Sequence, residues 1–425
     1  MRDVVFVNTP CPELNDDRLE APLGILYLAT LVQKMGISCQ ICDLSGLDST
    51  KWLEQIPAAK IYAFSTYSVT YARTLEIKNL ILQNINPQAL TIAGGPHVSA
   101  LAVESAKDFD LIITGEADQT FPEVITNYKA NGYLAKGILV GQPLQDLDRL
   151  PFPNYDLTDL ASYNRIVETK PSISLISSRG CPYNCKFCNS LVFSRGQLRF
   201  RSPENVVTEI QSLNANFGTT NFRFSDDLFT FSPHRITEMT KAIAPLDILY
   251  RVFARANNLN STACEQLAQS GCRHVAIGVE SMSNKMLSIL GKQTRAETNL
   301  KAIQNAKAAG LKVRIYILVG FPGETEETIY ESIEGLKNCP FDEFVVYPFI
   351  PYPGTAVWEN PEAYGATIDR DYSKYIQVGR GRSTCYVVQT EYFTPQDVEV
   401  WRDLVIETME RKLQRSWAQT LPDNR

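Results

Sequence analysis

Cys181, Cys185 and Cys188 stand at C-x3-C-x2-C spacing directly after the apolar run Ile173-Ser174-Leu175-Ile176. A strand that ends in a short cysteine-lined loop can aim three thiolates at one point. Three thiolates suit a [4Fe-4S] cluster and leave one iron without a protein ligand. Such an open coordination position is where a substrate or cofactor reacts, as at open catalytic zinc sites. The rival is a structural zinc site. Zinc usually takes four protein ligands, commonly in C-x2-C pairs, and no second pair lies nearby. The spacing favours the cluster.

The elements that must hold this loop repeat from residue 173 onward. Strand candidates are 173–177, 221–224, 249–253, 274–279, 312–319 and 343–347, with helical stretches between them. Ser202-Pro203 and Ser232-Pro233 place serine at an N-cap and proline at the first helical position. Thr294-x-x-Glu297 fits a capping box, and Gly271 and Gly310 sit where C-terminal caps belong. Six strand–helix units predict an open (βα)6 barrel, with reactive groups at the C-terminal strand ends. The cysteine loop is at the first such end. Ser225-Asp226-Asp227 follows the second, Arg255 the third, Glu280-Ser281 the fourth, and Gly320-Phe321-Pro322-Gly323-Glu324 the fifth. An amino-acid-bearing nucleoside needs acceptors for its ammonium, a cation for its carboxylate, a carboxylate for its ribose diol and a flat contact for its base. Asp226, Arg255, Glu280 and Phe187 supply that inventory. Each has a plainer reading: Asp226 or Asp227 capping a turn, Arg255 as a solvated charge, Glu280 paired with Lys292.

The first 140 residues alternate strand and helix signals: strands at 3–7, 38–42, 61–65, 90–93 and 111–113, with helices over 23–35, ending at Gly36, and 74–83. This βαβ rhythm predicts a Rossmann-like, doubly wound parallel sheet that binds ligands at its carboxyl strand ends. Residues 141–172 lose periodicity around Pro143, Pro151 and Pro153 and read as an extended linker. The domain division is therefore 1–140, 141–172, 173–355 and a C-terminal α-rich extension, 356–425. A helix predicted over 395–414 is expected to pack across the barrel mouth.

Composition limits the function classes. With 44% hydrophobic and 21% charged residues, the 425-residue chain has the makeup of a soluble protein of two or more domains. A net charge of -6 provides no basic field for nucleic acid. No apolar run reaches membrane-span length, and Met1-Arg2-Asp3 leads into a strand instead of a signal peptide. The ten cysteines lack a disulfide-framework pattern, which points to a reducing, cytoplasmic location.

Two resemblances follow. Pro22-Leu23-Gly24, Gly94-Gly95-Pro96-His97 and Gly115-Glu116 resemble the cobalamin-binding-type domain found ahead of many radical S-adenosylmethionine (SAM) enzymes. That family's D-x-H-x-x-G cobalt-ligating motif has no match. Of the three histidines, His97, His234 and His274, only His97 lies in this domain. Cobalamin is accordingly admitted without being favoured. The second resemblance, over roughly residues 165 to 355, is to the radical SAM superfamily. It is carried by C-x3-C-x-Φ-C with Phe187, the Asp226-Asp227 pair, Gly278-Val279-Glu280-Ser281 and Val319-Gly320-Phe321-Pro322-Gly323-Glu324. It implies that Cys181, Cys185 and Cys188 hold the cluster and that SAM binds its fourth iron. It further implies Phe187 near adenine, Ser225 and Asp226 near the methionyl amine, Arg255 and Ser281 near its carboxylate, Glu280 near the ribose, and Gly320 in the cofactor-binding set. One electron from the cluster would cleave the sulfonium to give a 5′-deoxyadenosyl radical.

The whole layout resembles the proteusin-type radical SAM peptide epimerases. This resemblance implies L-to-D conversion in a ribosomally made precursor peptide (leader plus core), by abstraction of a Cα hydrogen and its return from Cys385. Electrons would come from a donor such as flavodoxin or ferredoxin. Cys385 follows Gly379-Arg380-Gly381-Arg382, whose arginines are candidates for holding a peptide; a lone cysteine is otherwise a small buried hydrophobe. The rival readings are a cobalamin-dependent radical SAM methyltransferase or cyclase and, remotely, a non-catalytic scaffold.

Overall fold

The structure, a computed structural model, describes residues 1–377 and 385–413. Its first sheet contains β1 (Arg2–Asn8), β2 (Cys39–Asp43), β3 (Ala59–Ser65), β4 (Leu90–Gly94), β5 (Leu111–Thr114) and β6 (Gly137–Val140). They lie in the order β2-β1-β3-β4-β5-β6, every pair parallel. Val4, Val5, Phe6 and Val7 are all buried, because helices cover both faces and each side chain of β1 meets a core whichever way it points. Strand order reverses between β1 and β3, and a sheet of this kind opens its ligand crevice at that point, beyond the carboxyl ends. The sequence signals missed β6. It is an edge strand whose Ile138 and Val140 are 40% and 50% exposed, so it lacks the buried apolar run that marks the others.

Residues 141–172 are packed and do not form a free extended linker. Three short turns, Leu147–Arg149, Tyr155–Leu157 and Leu160–Ser162, bury Leu147, Leu150, Tyr155 and Tyr163 against the neighbouring units. The Tyr155 hydroxyl donates to the Ser174 carbonyl at 2.5 Å. The prolines removed the periodic signal while leaving the apolar anchors in place.

The second sheet runs, in chain order, through Ile173–Leu175, Asn221–Phe224, Leu249–Ala254, Cys272–Glu280, Lys312–Val319 and Glu343–Pro348. All pairs are parallel, giving the open six-stranded arrangement expected. Its first strand stops at Leu175, two residues early, and Ser178–Arg179 pairs antiparallel with Arg199–Phe200 to bracket the cysteine loop. Ser202 and Ser232 cap their helices through the backbone N–H groups of Asn205 and Arg235. The expected capping box at Thr294 does not form: Arg295 occupies the N-cap, Asn284 accepts the Ala296 N–H, and the Thr294 hydroxyl is buried without a partner. A reciprocal box forms instead between Thr325 and Thr328.

Helix Pro395–Leu413 corrects a further expectation. Val398 packs on Gly320 near the mouth, the Arg402 Nε donates to the Val346 carbonyl at 3.4 Å, and the Lys412 ammonium reaches the Leu336 carbonyl at 2.8 Å at the far end. The helix therefore runs down the last strand and shields the sheet's open edge, where unpaired backbone is a liability. The turn Pro361–Tyr364 reaches the mouth, with Tyr364 against Lys186 of the cysteine loop. Among the described residues no helix is long and apolar enough to cross a membrane.

Candidate active site

Gly180 opens the cysteine loop at φ +89, and a Cβ there would lie 2.0 Å from the Gln197 carbonyl oxygen, so only glycine fits between the bracketing strands. The loop is pinned at its centre, where the Lys186 N–H donates to the Leu290 carbonyl at 3.0 Å. Each sulfur has its own donor. The Tyr183 N–H faces Cys181, the Arg255 guanidinium donates to Cys185 at 3.4 Å, and the Ser190 N–H donates to Cys188 at 3.4 Å. Hydrogen bonds to cluster thiolates tune a cluster's potential. Burial pushes the Cys181 thiol up and the Cys188 thiol up to about 11, protons that metal ligation would displace. Among the described residues no three His, Cys, Asp or Glu side chains close into a cage for a single ion. A four-iron cluster takes each thiolate at a different iron, so this donor set suits a cluster better than zinc.

Arg255 is the clearest sign of an absent ligand. Its guanidinium lies 3.7 Å from the Tyr183 ring centroid, and its Nε and Nη2 are buried with no hydrogen-bond partner. Two orphaned donors on one planar cation match a carboxylate. Glu280 stands close to the same loop, at φ +64 in the left-handed region, where the ladder to the next strand shifts register. It accepts from the Lys292 ammonium at 2.9 Å, and Lys292 in turn lies 5.6 Å from the Phe187 ring centroid. Phe187, Lys292 and Glu280 thus form one group, and the plainer pairing of Glu280 with Lys292 is the one observed.

Two of the sequence candidates face away from open space. Asp226 is 2% exposed; it accepts from the Ser177 N–H at 2.6 Å, the Ser177 hydroxyl at 2.5 Å and the Ser178 hydroxyl at 2.8 Å. Its carboxylate ties the first two barrel strands together and has no free acceptor directed at an amine. Ser281 bonds Ser332 at 2.8 Å and accepts the Ser283 N–H at 3.0 Å inside the core. Gly320, at φ +86, gives its N–H to Glu324 at 2.5 Å. Ser225 and Asp227, by contrast, line open space; Asp227 accepts from the Ser190 hydroxyl at 2.9 Å, and burial pushes its carboxyl up. All three follow the strand end at Phe224, where the chain turns Ser225 and Asp227 toward the open space and Asp226 toward Ser177 and Ser178.

That open space is a cavity of about 560 Å³ between the two sheets. One wall comes from the strand ends of the first sheet: Ser65, Tyr67, Gly94, Gly95, Gly115 and Glu116. The other contains Cys188, Ser190, Phe193, Ser225 and Asp227. Arg179, beside the cysteine loop, donates to Asp118 at 2.5 Å and to Glu116 at 3.2 Å, which locks the two walls together. Glu116 also pairs with Arg199. Composition gave no hint of this clamp, since its members lie far apart in the chain. His97 does not line the cavity. It is 2% exposed, bonded to Ser68 at 3.0 Å and held between Tyr71 and Tyr372, and burial pushes its imidazole down to about 4. Cys385 is half-buried beside Asp369, Asp371 and Lys374 with its thiol pushed up by burial; Arg380 and Arg382 lie outside the described residues.

Comparison with known proteins assigns both halves. The radical SAM superfamily model matches residues 175–336, and the B12 binding domain model matches residues 18–125. The chain therefore carries a B12-binding domain followed by a radical SAM domain. It is 28% identical over 401 residues to an uncharacterized methyltransferase of Pyrococcus horikoshii, covering 89% of this chain and 85% of that protein. It is 25% identical to the bacteriochlorophyllide d C-8(2)-methyltransferase of Chlorobaculum tepidum, over 75% of this chain and 73% of that one. The anaerobic magnesium-protoporphyrin IX monomethyl ester cyclase of Rubrivivax gelatinosus is 26% identical over 78% of this chain and 64% of its own length. Among solved structures, the radical SAM methyltransferase TsrM of Kitasatospora setae shares the fold at TM-score 0.71 and 15% identity, over 97% of this chain and 89% of TsrM. These relatives are methyltransferases and a cyclase, so the peptide-epimerase subtype expected from the layout is not supported, and neither is the role it gave Cys385.

Proposed function

We propose that this radical SAM enzyme is a cobalamin-dependent methyltransferase, with the corrinoid seated in the cavity between the two sheets. The observation that carries the reading is the cavity itself, which joins the carboxyl strand ends of the B12-binding domain to Cys188 of the cluster loop. Its glycine-lined wall suits a bulky, flat ligand. Added Cβ atoms at Gly24 and Gly115 would meet nothing within 4 Å. The missing D-x-H-x-x-G motif argues less against cobalamin than sequence alone implied, because glycines together with apolar and aromatic side chains line the pocket and the domain's one histidine is engaged elsewhere.

When bound, the cluster supplies the electron that cleaves SAM, and the corrinoid supplies the carrier through which a methyl group moves. The chain's own residues do the positioning. Cys181, Cys185 and Cys188 would hold three irons, Arg255 would take a carboxylate, Glu280 and Phe187 would frame the nucleoside, and Asp227 with Ser225 would offer acceptors to an ammonium. The Arg179–Asp118–Glu116 clamp ties the two walls together and so sets the spacing of the two cofactor sites. An electron donor of low potential, such as flavodoxin or ferredoxin, completes the requirement.

Protein reconstituted anaerobically with iron, sulfide and hydroxocobalamin, then given SAM with a deuterated methyl group, is expected to transfer that label to a non-nucleoside acceptor. Inversion of a peptide Cα in corrinoid-free protein, with no label transfer, would restore the epimerase reading.

A further inference from the structure

The floor of the barrel, below the strand ends, carries a buried charge imbalance, and its Arg223 also donates to the Ser225 hydroxyl at 3.0 Å. Strand register puts Arg223 beside Arg251, and Arg251 beside His274. These side chains face inward. Arg223 lies 5.1 Å from the Phe253 ring centroid, while Phe222 and Tyr250 occupy the core on the helical side. Arg165 joins them from the connector, and Arg165, Arg223 and Arg251 all lie within electrostatic range of Tyr316. Among the described residues, Glu20 is the carboxylate that lies near all three. It takes Arg165 at 2.8 Å, the Ser174 hydroxyl at 2.9 Å, and Arg223, which occupies its oxygens.

Arg251 is left over. It is 7% exposed, and among the described residues no hydrogen bond or ion pair joins its guanidinium to another side chain. The Arg223 Nε is likewise buried without a partner. The neighbouring charges cancel: Arg314 pairs with Glu343, and Glu168 takes both His274 at 2.8 Å and Lys312 at 3.2 Å. Three guanidiniums against one carboxylate leave two buried positive charges uncompensated. Guanidinium does not shed its proton at accessible pH, and a buried unpaired charge is strongly unfavourable unless something pairs it. Above this floor the wall is flat and aromatic, with Tyr316 and Tyr347 stacked at 5.7 Å and 10° and Phe253 at 6.1 Å from Tyr316.

We propose that the barrel lumen takes a substrate bearing a carboxylate or phosphate group, seated on Arg251 and Arg223, with a planar or apolar body lying against Phe253, Tyr316 and Tyr347. This rests on reading the barrel as the substrate chamber. Arginine is the residue suited to both head groups, because its planar fork matches their paired oxygens. Anchoring at the floor would direct the opposite end of the substrate toward Arg255, Glu280 and the cysteine loop.

The test uses the full chain without corrinoid, so that its outcome is independent of methyl transfer. Inorganic phosphate, benzoate and, as neutral control, benzyl alcohol are titrated calorimetrically into wild type and Arg251→Gln. Benzoate or phosphate is expected to bind wild type, with the tighter of the two identifying the head group, and Arg251→Gln is expected to weaken that binding at least tenfold. Without any anion, Arg251→Gln is expected to melt above the wild type, since it removes an unpaired buried charge. Failure of both anions to bind, benzyl alcohol binding as tightly as benzoate, or Arg251→Gln melting below wild type without anion would each overturn the proposal. The last result would make Arg251 part of a closed structural network.

Discussion

Gly24→Phe separates the corrinoid cavity from the fold. Gly24 lies in the first turn of helix Leu23–Lys34, lines the cavity, and has nothing within 4 Å of an added Cβ. A phenylalanine there enters open space and displaces no backbone. Replacing glycine inside a helix gains about 0.3 kcal/mol or more in propensity, so the corrinoid-free variant should melt at or slightly above the wild type. The ring would occupy the volume a corrinoid needs. Ligand at about 100 times Kd stabilises a protein by about 2.7 kcal/mol, an increment wild type should show and Gly24→Phe should lose. The assay pairs an anaerobic corrinoid titration, followed by visible absorbance, with thermal melts with and without corrinoid. A folded Gly24→Phe protein that binds corrinoid within threefold of wild type would refute the placement.

The remaining predictions concern single groups. Arg255→Lys should weaken SAM binding about tenfold or more, the scale of a lost charge-assisted hydrogen bond, while iron content stays at the wild-type level; equal SAM affinity would remove Arg255 from the carboxylate site. Asp226→Asn should cost about 1–3 kcal/mol of stability through its buried hydrogen bonds and spare SAM affinity, whereas Asp227→Asn should do the reverse in a titration and melt of each. The opposite pattern would reinstate Asp226 as the amine acceptor. Burial pushes the Glu324 carboxyl up to about 8. A group protonated to that pH when folded, but only to near its ordinary value when unfolded, loses its stabilising contribution as pH rises through this interval. Melting temperature should therefore fall between pH 5 and 8, and Glu324→Gln should flatten the fall; an unchanged slope would exclude Glu324 as its source. Cys385→Ala should leave methyl transfer intact, and its loss would return Cys385 to the chemistry.

Most of the scaffold was legible because buried parallel strands are short apolar runs between helices, and eleven of the twelve strands in the two large sheets sit within two residues of their expected limits. β6 escaped as a half-exposed edge. The first barrel strand ended early because Ser177 and Ser178 turn to satisfy Asp226. The cysteine loop was legible for a local reason: ligand spacing is written in consecutive residues. Choosing between Asp226 and Asp227 required the path of the loop beyond Phe224, which the sequence does not define. The cavity was legible in part: Gly24, Gly94 and Glu116 stand in the segments that resemble a cobalamin-binding-type domain, and Asp227 in the barrel's motif. The clamp that Arg179 makes was not, because only the packing of two sheets brings its members together. The weight first placed on the missing histidine motif had the same origin: a motif reports one ligating side chain, whereas a pocket is built from many loops.

The most direct measurement of the central claim is corrinoid content and electron paramagnetic resonance of the anaerobically reconstituted, reduced protein. One corrinoid per chain is expected, with a cobalt signal free of hyperfine coupling to a histidine nitrogen, because His97 is enclosed between Tyr71 and Tyr372. A protein that retains its iron–sulfur signal yet binds no corrinoid, or one whose cobalt couples to a protein imidazole, would contradict it.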